Sequence, residues 1–91
     1  MKIKIKDKEV ELKYTLRSMI MFENMTDKTF KPEGLTDVIT FMYCVIIASS
    51  KDYSLKFDEF IDILDEHPEI VQEFSDWLTT SVNTNENLKK N

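Results

Sequence analysis

The sequence predicts a mainly α-helical domain in which an N-terminal β-hairpin precedes four helices, and three observations support this fold class. The first 14 residues alternate polar and apolar side chains on both sides of a polar turn, which is the period of β-strands. The stretch 38–48 carries no charge and is apolar on nearly all sides at helical spacing, as a buried central helix is. Beyond it, apolar residues recur at the i, i+3, i+4 and i+7 spacing of amphipathic helices.

The hairpin is predicted to have strands at about 2–6 and 9–14. Charged residues alternate with the apolar residues Ile3, Ile5, Val10, Leu12 and Tyr14. One face of the hairpin is therefore expected to be dry and the other wet. A two-stranded hairpin is marginally stable alone, so the dry face must pack against the helices.

The four helices are predicted at about 16–25, 36–49, 57–66 and 68–82. Thr15 and Thr36 are the expected N-caps of the first two helices, since a threonine side chain accepts hydrogen bonds from N–H groups of the first turn. Phe30 is expected to anchor the connector between them to the core. His67 and Pro68 separate the last two helices, because proline suits a first helical turn and disfavours helix in the residue before it.

The domain is predicted to comprise residues 1–82, followed by a flexible tail at 83–91. The tail contains only one apolar residue, Leu88, and therefore has little to bury. A chain of 91 residues is expected to close its core around a single central element and to be marginally stable.

Two apolar stripes lie on the first predicted helix and predict two neighbours for it. One stripe consists of Leu16, Met19 and Ile20; the other consists of Met21, Phe22 and Met25. The second stripe suits either the core or a partner groove, because methionine supplies adaptable apolar surface. Ile63 favours the groove, since it is apolar beside an acidic helix face. The candidate partner-binding residues are thus Met21, Phe22, Met25 and Ile63.

The net charge of −5 conceals a strong asymmetry along the chain. Residues 1–31 carry eight Lys/Arg against five Asp/Glu, whereas residues 52–77 carry nine Asp/Glu against only Lys56. The basic half is small and interleaved with acids, so no nucleic-acid ligand is expected. The acidic half suits a basic protein partner or simply solubility.

The residue types that carry catalysis are scarce. The chain has one His, one Cys and one Gly. His67 lies near Asp65, Glu66 and Glu69 but has no second His or Cys at ligand spacing, so no metal site is expected. A single Gly34 excludes a glycine-rich phosphate loop. The sequence predicts no catalytic, cofactor or metal site, and hence a non-enzymatic protein.

Targeting signals are also absent from the sequence. The first six residues alternate Lys and Ile and form no apolar signal segment. The stretch 38–48 is too short to cross a bilayer of about 30 Å. The lone Cys44 excludes an internal disulfide. We therefore expect a cytoplasmic protein with no membrane contact.

Four segments carry a resemblance to a known family. They are Leu35–Cys44, Phe57–Glu69, Phe74–Leu78 and, upstream, Tyr14–Glu23. Over residues 1–80 the chain resembles the small tail assembly chaperones of long-tailed bacteriophages and prophages. The resemblance implies a non-enzymatic protein that binds and solubilises the helical, apolar tape measure protein and helps recruit tail tube subunits.

The same residues also allow other functional interpretations. The chain fits a small acidic protein-interaction module, or a phage or plasmid inhibitor that mimics nucleic acid through spaced carboxylates. Residues that would supply this mimicry include Asp58, Glu59, Asp62, Asp65, Glu66, Glu69, Glu73 and Asp76. An apolar groove without its client is also expected to favour homo-oligomers, because exposed apolar patches tend to find cover.

Overall fold

The computed structural model describes the backbone of residues 1–90 and the side chains of residues 1–81. The elements are β1 (Lys2–Ile5), β2 (Lys8–Glu11), α1 (Leu16–Thr26), α2 (Gly34–Ser50), α3 (Phe57–Glu66) and α4 (Glu69–Lys90). This order confirms the predicted fold class, a hairpin followed by four helices.

The hairpin is antiparallel and pairs Ile3 with Val10. Lys6 and Asp7 form the turn, and both have positive φ, 50° and 64°, as the tight turn of a two-residue hairpin requires. β2 ends at Glu11 instead of at 14. Beyond it, the N–H of Lys13 donates to Ser49 Oγ at 2.9 Å, so the chain turns from the hairpin toward α2.

Helix α2 is the buried centre of the molecule, as the uncharged stretch predicted. Its fully buried side chains include Phe41, Met42, Cys44 and Val45. α1, β2 and α4 all pack against it. Because α2 is buried on several sides, several large apolar side chains leave water, and each contributes about 1.5–3 kcal/mol of stabilisation.

The start of α2 differs from the prediction. The helix begins at Gly34, and Thr36 is not its N-cap. Glu33 occupies the cap position without a side-chain cap, while its N–H donates to Asp37 Oδ2 at 3.0 Å. A carboxylate inside the first turn thus satisfies a backbone group ahead of the helix, which allows the helix to begin before Thr36.

An aromatic cluster joins α1, the connector, α2 and α4. The Phe41 ring lies 6.0 Å from Phe22, 4.8 Å from Phe30 and 6.1 Å from Phe74, measured between ring centroids. Phe30 therefore anchors the connector to the core, as expected. Such tilted and edge-to-face pairs add to the energy of apolar burial.

The last two helices meet at His67 and Pro68, as predicted. α3 has the predicted bounds, whereas α4 continues past the predicted end at 82 to Lys90. The flexibility expected of the tail 83–91 stays a prediction, and Asn91 lies outside the described residues. Within the described part of the chain, no helix is both long and apolar enough to cross a membrane.

Candidate functional site

Phe22, one of the four candidate partner-binding residues, lies in the core. Its side chain is 0% exposed, and its ring packs edge-on against Phe30 and Phe41. In this conformation Phe22 offers no surface to a partner.

Met21 and Met25 lie on the side of α1 that faces α2. Met21 is half-buried against the core. Met25 is 48% exposed, and its Sδ lies 3.5 Å from the Sγ of Cys44 on α2. The methionine stripe is therefore largely the packing face of α1, with part of Met25 accessible.

Ile63 lies on a different surface from the methionines. It lines a groove of 550 Å³ between β1 and the α3–α4 junction. Lys2 and Lys4 border this groove on one side, and Glu66 and Glu69 border it on the other. The structure thus does not bring the four candidate residues together on one surface.

The other stripe of α1 is divided: Met19 is half-buried against the core, whereas Leu16 and Ile20 face solvent. Leu16 is 74% exposed and Ile20 is 58% exposed, so the second neighbour expected for α1 does not cover them. The buried line of the helix runs through Ser18 and Phe22. Ser18 is tolerated there because its hydroxyl donates to the backbone oxygen of Thr15 at 2.7 Å.

An apolar groove of 380 Å³ lies between α2, α3 and α4. Its lining consists of Leu35, Ile39, Ile61, Leu64, Asp65, Pro68, Val71 and Gln72. Leu64 is buried at the base, Ile39, Ile61 and Val71 are half-buried, and Leu35 is 66% exposed at the margin. We call this lining the α2–α3–α4 groove.

Sequence reasoning missed the α2–α3–α4 groove. The expected start of the second helix at 36 leaves Leu35 outside that helix. The apolar spacing of the third and fourth helices favours core positions for Ile61 and Val71. The available signal was the i, i+4 pair of Leu35 and Ile39, which extends the apolar pattern of α2 backward by one turn.

Carboxylates follow one side of this groove. Asp65 lies in its lining, and Asp58 and Asp62 share the exposed side of α3 at i, i+4 and i+3 spacing. Among the side chains that the structure describes, none of these three forms an ion pair. We call this acidic row of α3 the rim of the groove; it reaches the lining at Asp65, and it is negative and unpaired among the described side chains.

The acids nearer the hairpin are neutralised instead. Lys6 Nζ lies 2.6 Å from Glu59 Oε2, and this hydrogen bond, followed by one from the N–H of Lys56, lowers the pKa of Glu59. Lys8 Nζ lies 3.5 Å from Asp52 Oδ2. The basic hairpin thus compensates one part of the acidic half and leaves the groove rim untouched.

A second apolar cleft, of 420 Å³, lies where the connector passes α4. Tyr14, Phe30, Pro32, Val38 and Leu78 supply its apolar lining. Among the side chains that the structure describes, its polar lining consists of Ser75 and Thr79, neither of which is charged.

The reactive side chains occupy unremarkable environments. Burial raises the pKa of the Cys44 thiol to about 11, so the thiolate is scarce at neutral pH. His67 is exposed, with its Nδ1 3.3 Å from Glu69 Oε1. Among the described residues, no three His, Cys, Asp or Glu side chains group closely enough to hold a metal ion.

Comparisons with protein-family models, with curated proteins and with solved structures find no match for this chain.

Proposed function

We propose that this protein is a non-enzymatic tail assembly chaperone that binds and solubilises the tape measure protein in the host cytoplasm. In this role it also helps to recruit tail tube subunits. The family and its clients come from the resemblance of residues 1–80 to phage tail assembly chaperones. The α2–α3–α4 groove is the observation that supports a client-binding role.

A client-binding protein needs apolar surface that its own core does not use. In the α2–α3–α4 groove, Leu35 is largely exposed, and Ile61 and Val71 are only half-buried. Contiguous apolar surface with a polar rim is typical of interaction sites. An apolar helical client would cover this surface and gain the free energy of burial.

The test is co-expression with a tape measure protein, a long helical protein. The proposal predicts that the long protein becomes soluble and co-purifies with this chain. The control is the same long protein expressed alone, which is expected to precipitate. If it precipitates equally in both cases, the chaperone proposal is wrong.

A nucleic-acid mimic is the second candidate, and the uncompensated acids of α3 favour it. Asp58, Asp62 and Asp65 form a row of exposed carboxylates. The row is short, because the neighbouring Glu59 is paired with Lys6. Titration against a basic DNA-binding protein in the presence of its DNA separates the candidates: a mimic displaces the DNA, whereas a chaperone leaves it bound.

A further inference from the structure

We infer that the α2–α3–α4 groove binds an amphipathic α-helix whose apolar face is bordered by lysine or arginine. This inference rests on the proposed function and adds to it the binding face and the chemistry of the bound segment. It also moves the candidate site away from Met21, Phe22, Met25 and Ile63.

The apolar lining of the groove disfavours binding of a polar segment. Of its eight lining residues only Asp65 and Gln72 are polar, and Gln72 Nε2 already donates to Asp76 Oδ1 at 2.9 Å. A polar segment would lose its hydration here and find few partners. Apolar side chains give up no hydrogen bonds to water on entry. At 380 Å³ the groove also lies within the range of about 300–1000 Å³ typical of ligand sites.

The secondary structure around the groove favours a helix over an extended strand. An extended peptide usually binds by adding to an open sheet edge through backbone hydrogen bonds. The groove is lined by residues of α2, α3, α4 and Pro68, and β1 and β2 contribute nothing to it. Recognition must therefore come from side chains, as when a helix inserts anchors at i, i+3, i+4 and i+7.

The charge of the rim determines the flanks of the bound helix. Asp58, Asp62 and Asp65 are one helical turn apart from one another in succession, and like charges at this spacing destabilise the free helix slightly. Cations beside the apolar anchors would relieve this repulsion. They would also increase the association rate, as complementary charge does at other interfaces.

A matched pair of variants tests the inference. Leu35→Asp changes the groove, whereas Leu16→Asp changes a similarly exposed leucine on α1, which does not line the groove. Both leucines lie in the first turn of a helix, where an added carboxylate interacts favourably with the helix dipole. Both variants should therefore fold, which circular dichroism checks.

The probe is a synthetic amphipathic peptide of Leu and Lys, about 14 residues or four helical turns long. A peptide with Glu in place of Lys is its charge control. We expect the parent and Leu16→Asp proteins to bind the Leu/Lys peptide alike. Leu35→Asp should bind about tenfold more weakly or worse, because docking would bury its unpaired carboxylate.

The charge component has its own readout. Raising the salt to 1 M, where the screening length falls to about 3 Å, should weaken binding to the parent. The triple variant Asp58→Asn, Asp62→Asn, Asp65→Asn should lose most of this salt dependence. The Leu/Glu peptide should bind more weakly than the Leu/Lys peptide in low salt.

Three results would overturn the inference: no binding of the Leu/Lys peptide to the parent, equal binding to Leu35→Asp and Leu16→Asp, or equal binding of the two peptides. Co-expression with the long client separates this failure from failure of the proposed function. If the Leu35→Asp variant solubilises the client as well as the parent does, the chaperone proposal stands, but the groove is not the binding site. A client that the parent itself does not solubilise refutes the chaperone proposal, whatever the peptides do.

Discussion

Truncating a side chain on the buried face of α1 should destabilise the protein far more than truncating one on its exposed face. Phe22→Ala removes a ring that is fully buried between Phe30 and Phe41, which should lower the free energy of unfolding by about 3–5 kcal/mol. Ile20→Ala removes a side chain that is 58% exposed, so its effect should stay within about 0.5 kcal/mol. The two residues are two positions apart in the sequence and lie on different sides of the helix, which accounts for the difference in the expected loss.

Urea denaturation followed by circular dichroism and by the fluorescence of Trp77 measures both changes. A chain of this size has a total stability of about 5–14 kcal/mol, so Phe22→Ala should lose a large fraction of it. Phe22→Leu keeps a partial contact and provides an intermediate value if the alanine variant does not fold. A larger loss for Ile20→Ala than for Phe22→Ala would refute the orientation of α1 described above.

Three further predictions concern single groups. In the native protein Cys44 should react slowly with a thiol reagent at about pH 8 and rapidly in urea, because burial raises its pKa to about 11; equal rates would contradict its burial. Thr15→Ala should cost about 1 kcal/mol of unfolding free energy, because the variant loses the side-chain cap of α1; an unchanged urea midpoint would show that the cap contributes nothing. The N–H of Glu33 and then Lys28 lower the pKa of Asp37, so its stabilisation is present above the unfolded value of about 3.9 and is lost as pH falls through the lower folded value. Asp37→Asn should therefore lose stability relative to the parent near neutral pH and progressively less in acid, and urea midpoints measured across this range would contradict this if the difference were constant.

The central helix and the hairpin were predictable because their patterns are unambiguous. An uncharged run such as Val38–Ala48 is stable as a helix only where it is buried, and strict alternation on both sides of a polar turn is typical of a hairpin. The turn itself lies at Lys6 and Asp7, one residue earlier than the predicted strands 2–6 and 9–14 imply. Burial of α2 and pairing of β1 with β2 both follow from such local information.

The phase of α1 was not predictable in the same way. Its two stripes are similarly apolar, and the structure buries the line through Ser18, which belongs to neither stripe, and Phe22, which belongs to the second. A serine is a poor core residue unless a local hydrogen bond satisfies its hydroxyl, and Thr15 supplies that bond. Which stripe is buried therefore depends on a cap and on the neighbouring rings, neither of which helical periodicity reveals.

The groove was not predictable because three separate segments build it. In the sequence, Ile61 and Val71 each look like an ordinary core position in its own helix, and Leu35 lies before the expected start of the second helix. Only the packing of α3 on α4, and of both beside the start of α2, leaves their side chains partly uncovered. Leu35 is helical because α2 begins at Gly34, where the N–H of the preceding residue, Glu33, donates to Asp37.

Hydrogen–deuterium exchange on the complex with the long helical client tests the central claim most directly, namely that this chain binds its client through the α2–α3–α4 groove. The account predicts slower exchange on binding in the peptides that contain Leu35 and the segment from Ile61 to Val71. It predicts little change in the peptide that contains Leu16 and Ile20. Protection confined to α1, or no protection anywhere in a stable complex, would contradict it.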